Sequence, residues 1–98
     1  MELAVFDKLL DRRLALTKEV LANKSKEYST DDKFHNFKTA ARVNGVTPAQ
    51  ALWGMTSKHL VSVMDLVNGI KKPTKELVDE KIGDMVNYLI LLEGILNE

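Results

Sequence analysis

Thr47-Pro48-Ala49-Gln50 constrains what this chain can fold into more than any other stretch of it. A threonine at the N-cap accepts a hydrogen bond from the backbone N–H three residues on, and a glutamine at that position returns one. Proline suits the first helical position, because its missing N–H would have no partner inside the helix anyway. A helix therefore begins at Pro48 and runs to about Asn68, where Gly69 ends it. Leu52, Thr56, Leu60, Val63 and Val67 recur at three- and four-residue steps as its buried stripe, with Trp53 and Met64 on the flank. Trp53 is expected in the core rather than as a surface for stacking a base.

The same reasoning divides the rest of the chain. Leu3, Phe6, Leu10, Leu14, Thr17 and Leu21 step by three or four with no proline or glycine among them, which predicts a long helix over 2–27. Ser29, Thr30 and Asp31 are helix-starting residues, and Phe34, Phe37 and Ala41 repeat at helical spacing. A second helix is thus predicted over 32–44, with Asn44-Gly45 as its left-handed cap. After the loop NGIKKPT, a last helix is predicted over 75–96, with Val78, Ile82, Met85, Leu89, Leu92 and Leu96 as its apolar stripe. The 98 residues make one small four-helix, all-α domain spanning 1–98. Leu91 and Ile95 leave the end of the last helix apolar nearly all round, so a homo-oligomer, most simply a homodimer burying that helix, is expected.

Composition excludes several classes. With no cysteine there is neither a disulfide framework nor a thiolate site, which suits a reducing cytoplasm. Fourteen basic residues balance fourteen acidic ones, so the clustered basic face of a duplex-binding protein is missing. No apolar run approaches the ~20 residues of a membrane span, and no signal peptide is expected at the N-terminus. The glycines never cluster into a phosphate loop, His35 and His59 fit no zinc helix motif, and no serine sits on a nucleophile turn.

Two polar ladders carry the candidate chemistry. Glu80, Asp84 and Asn87, with Tyr88 beside them, lie on one face of the last helix, and Lys58, Ser62 and Asp65 form a similar line on the third, with His59 at its edge. Carboxylates one turn apart repel, by about 0.2–0.5 kcal/mol when exposed, and a hard cation such as Mg²⁺ offsets that by taking oxygen ligands alongside phosphates. If the two helices are antiparallel neighbours, Glu80, Asp84 and Asp65 could hold a metal while Lys58 faces a phosphate. The competing reading is solvated surface decoration, in which exposed ion pairs are worth little.

The segments KEYSTDDKFHNFK, GVTPAQALWGMTSKHLVSVMDLV and DEKIGDMVNYLILL, spanning about residues 24–93, resemble the phage and prophage family called nucleotide modification associated domain 1. That resemblance implies an all-helical protein with a nucleotide-related role in phage-infected cells. It singles out Tyr28, Asp32, Asn36, Phe37, Lys58, His59, Asp65, Glu80, Lys81, Asp84, Asn87 and Tyr88. More distantly the chain is similar to MazG-type, all-helical nucleoside triphosphate pyrophosphatases, which hold Mg²⁺ with acidic pairs on two helices. EKIGD supplies Glu80 and Asp84 toward that pattern, whereas KSKE, with Lys24 and Glu27, stands where its first acidic pair would be. The expectation is Mg²⁺-dependent binding or phosphohydrolysis of a nucleotide. The rival readings are a non-catalytic protein that sequesters a nucleotide or inhibits a host protein, and a purely structural oligomer.

Overall fold

The structure, a computed structural model, describes residues 1–23 and 32–98. Among these it contains four α-helices and no strand: α1 (Leu3–Lys18), α2 (His35–Asn44), α3 (Pro48–Val67) and α4 (Lys75–Leu96), with a π-helical turn, Glu19–Asn23, continuing α1. None of the helices is long and apolar enough to cross a membrane.

The helix ends form for the local reasons the residues dictate. Thr47 Oγ1 accepts from Gln50 N–H at 3.1 Å and Gln50 Oε1 accepts from Thr47 N–H at 2.9 Å, a complete capping box. Thr74 repeats half of it on α4, accepting from Leu77 N–H at 3.2 Å. Gly45 and Gly69 end α2 and α3 at φ 66° and 73°, a conformation that costs any residue with a Cβ. Behind each cap the next N–H reaches back across the last turn, Val46 to Ala41 O at 3.0 Å and Ile70 to Asp65 O at 2.9 Å. The helix expected over 32–44 begins later, at His35, because Asp32 accepts from Phe34 N–H at 2.9 Å and holds a turn ahead of it. The expected long first helix instead passes at Glu19 into the π turn; the last four of its positions, 24–27, and Ser29 to Asp31 lie outside the described residues.

α3 is the centre of the packing, lying most extensively against α4 and next against α2. The short connection 68–74 makes α3 and α4 antiparallel, with His59 opposite Asp84 and Tyr88. Leu52 and Thr56 are completely buried and Ala41 nearly so, and the Thr56 hydroxyl meets its need by donating to Leu52 O at 2.9 Å. At the far end of α4, Gly94 makes room for a ring: a Cβ there would sit 2.6 Å from Phe34 Cζ. Lys38 pins the same end, lying 3.1 Å from Glu98.

Several expected core positions are exposed. Trp53 is 48% exposed, and Val67, Val78, Leu89 and Leu96 also face outward. α3 is therefore covered along the side of Leu52 and Thr56 only. α4 is covered by α3 and by α1, whose Arg13 lies against the buried Gly83.

Candidate functional site

A cleft of about 290 Å³ opens between the π turn, the start of α2 and the second half of α4. Asp84, Asn87, Tyr88 and Leu91 face it from α4, since steps of three and four residues keep side chains on one helical face. Asp32, Asn36 and Phe37 form the second wall, and Val20 and Leu21 the third. The π turn matters for that third wall, because its extra residue rotates the chain after Lys18 relative to a continuous α-helix. Lys33 Nζ donates to Leu21 O across the rim, joining the second and third walls.

Tyr88 is held from behind. The His59 ring of α3 stacks on it with centroids 4.5 Å apart and planes 27° from parallel, an offset arrangement that fixes the phenol ring. His59 Nδ1 also lies 3.6 Å from Asp84 Oδ2, too far for a hydrogen bond but within reach of an ion pair when the imidazole is protonated. His59 thus touches two residues of the cleft floor from the opposite side.

Asp32 is committed to structure as well as to the cleft. Its Oδ1 accepts from Phe34 N–H and its Oδ2 from Lys38 Nζ at 2.7 Å. The hydrogen bond from Lys38, then that from Phe34, hold the Asp32 carboxyl below the ordinary aspartate range, so it is ionised at neutral pH. Lys38 is correspondingly raised, by Asp32 first and Glu98 second.

Asn87 differs. Its Oδ1 is buried and has no hydrogen-bond partner among the described residues, although the residue lines the cleft. A buried carbonyl-type oxygen left unpaired costs about 1–3 kcal/mol. Thr17 Oγ1, on α1, is the other buried side-chain atom in this condition.

Of the residues the sequence singled out, the fold brings Asp32, Asn36, Phe37, Asp84, Asn87 and Tyr88 into one cleft, with His59 stacked on its floor. The remaining candidates lie elsewhere. Lys58 is exposed on α3. Glu80 points to solvent and sits 3.4 Å from Lys81 on its own helix. Asp65 is in the last turn of α3, where its carbonyl caps the helix. Tyr28 lies outside the described residues. Lys58, Asp65, Glu80 and Asp84 therefore do not share a cleft as the antiparallel arrangement suggested; of the four, only Asp84 lines it. Among the described residues no three His, Asp or Glu side chains converge as a metal cage. With both Asp32 oxygens engaged, Asp84 is the carboxylate of the cleft left to meet a cation, whose other ligands would be phosphate oxygens and water.

Sequence reasoning passed over Val20, Leu21 and Lys33 as cleft residues, and over a second polar cluster at the other end of α4. There Asp79 receives Arg12 Nη1 at 2.6 Å and Arg13 Nη2 at 2.9 Å. Arg13 Nη2 also donates to Asp79 O at 3.1 Å. The Arg12 guanidinium holds the Asp79 carboxyl below its ordinary range and is itself raised in return. Compared with known proteins, the chain matches no family model, no curated protein and no solved structure.

Proposed function

We propose that the cleft binds a nucleotide, with the base against Tyr88 and Asn87 and the phosphates toward Asp84. The observation that carries this reading is the Tyr88 ring, fixed by His59 at the floor of the cleft and flanked there by Asn87 and Asp84. A heteroaromatic base suits that floor: its face stacks on the phenol while its polar edge lies beside the Asn87 side chain. Asp84 then holds Mg²⁺ against the phosphates, in the way that one carboxylate and several phosphate oxygens share this ion. Phosphohydrolysis would follow if the Mg²⁺ also activates a water at the phosphate; sequestration would follow if it does not.

The test is calorimetric titration of a panel of nucleoside mono- and triphosphates with and without Mg²⁺, with product analysis on the same samples. Binding that strengthens with Mg²⁺ is expected, and Asp84→Asn is expected to stay folded and lose the Mg²⁺ dependence. No heat with any nucleotide at millimolar concentration would overturn the proposal.

A further inference from the structure

We propose that the apolar face of α1 is an interface between two copies of this chain. Arg12 and Arg13 bond Asp79, 67 and 66 positions later, and Val20 and Leu21 share the cleft with Tyr88 and Leu91, so α1 and α4 run side by side in the same direction. At that offset Leu3 to Phe6 fall level with residues 69–73, the loop ahead of α4. The first turns of α1 therefore project past the helix they pack on. Leu3, Val5, Phe6, Leu9, Leu10 and Leu14 are all exposed there, Leu3 at 82% and Phe6 at 50%. Leu3, Phe6, Leu10 and Leu14, stepping by three and four, form the seam that a helix presents to a partner helix.

Size supports a second copy. The chain exposes 7213 Å², whereas a compact monomer of its mass exposes about 5,600 Å², an excess of about 1,600 Å². Its radius of gyration is 15.3 Å against about 12.6 Å for a compact domain of this length. A standard interface removes about 800 Å² per partner and an obligate dimer more, so a symmetric pairing through α1 removes half or more of that excess. Within α1, Asp7 and Asp11 stand against Lys8 and Lys18, while Arg12 and Arg13 are both held by Asp79 of α4. That balance suits a soluble partner and lacks the cationic face of a helix lying on lipid. The end of α4, which the sequence pattern suggested as the dimer face, is partly covered by its own chain through Phe34 and the cleft walls.

Sedimentation equilibrium at micromolar concentration is expected to give twice the 11.0 kDa chain mass. Phe6→Glu should halve that mass while far-ultraviolet circular dichroism stays helical. Val67→Glu, at a position 79% exposed on α3, should leave the dimer intact. If Phe6→Glu fails to fold, Leu10→Gln decides: this milder change in the same seam should keep the helical spectrum and shift the mass toward monomer. A monomeric wild-type chain, a folded Phe6→Glu dimer, or a folded Leu10→Gln chain with undiminished dimer mass would each overturn the proposal, and a monomer that instead binds anionic vesicles would assign the face to lipid. Nucleotide binding is expected to survive in monomeric Phe6→Glu, since the cleft lies within one chain; the two proposals thus fail separately.

Discussion

The two ends of this molecule are built by opposite means. At the cleft end, α2, α3, α4 and the π turn converge: Phe34 lies over Gly94, Lys38 ties Asp32 to Glu98, and His59 stacks on Tyr88. At the other end α1 rests on α4 through a fork of two arginines on Asp79, with half-exposed leucines around it. Packing density sets what a substitution costs, and polar contacts set register and direction more than stability. The first end is thus a cleft with fixed walls, and the second a helix whose outer side its own chain leaves uncovered.

The largest expected contrast is between two leucines. Leu52 is wholly buried, so Leu52→Ala should cost about 2–5 kcal/mol in urea denaturation, independent of protein concentration. Leu10→Ala removes a side chain that is 43% exposed in one chain. Its effect should be within about 0.5 kcal/mol on a monomer, and larger with a concentration-dependent midpoint if α1 pairs with a second copy. Equal, concentration-independent losses would erase the distinction between the two ends.

Gly94 tests the cleft end more finely. Gly94→Ala gains about 1 kcal/mol of helix propensity but drives a methyl into the Phe34 ring, an overpacking that costs about 1–3 kcal/mol. A net loss is expected, turning into a net gain in a Phe34→Leu background. A thermodynamic cycle with no coupling between the two positions would mean the ring is free to move away.

The smallest effect is at the arginine fork. Because the folded-state pKa of Asp79 lies below its ordinary value, the carboxylate's stabilising contribution is fully present above ~4, the unfolded value. It is lost as pH falls further, through the folded one. Hydrogen exchange of α1 amides should therefore speed up below about pH 4 relative to those of α3. Asp79→Asn should show fast α1 exchange already at neutral pH.

Helix count and most boundaries were legible because they rest on local chemistry: Thr47 with Gln50, Pro48, Gly45 and Gly69 each act within a few residues. The polar line of α4 was legible too, since Asp84, Asn87 and Tyr88 share a face in any helix. What faced that line was not. Periodicity shows that a helix has sides but not which neighbour lies on which, so Trp53, Val67 and Leu89 read as core and proved exposed. The Arg12 and Arg13 fork joins residues 66 and 67 positions apart, and no short-range pattern announces such a pair. The π turn also leaves no mark in EVLAN, whose residues suit an α-helix equally well.

Asn87→Leu tests the central claim most directly. The substitution keeps the shape and removes the buried, unpaired oxygen, so the ligand-free variant should be more stable than the wild type, by about 1 kcal/mol. Thermal melts of both proteins with saturating nucleotide and Mg²⁺ then read the two properties together. The account expects a clearly smaller nucleotide-induced rise in Tm for Asn87→Leu than for the wild type, despite the variant's higher starting point. An equal nucleotide-induced rise in both proteins would contradict it.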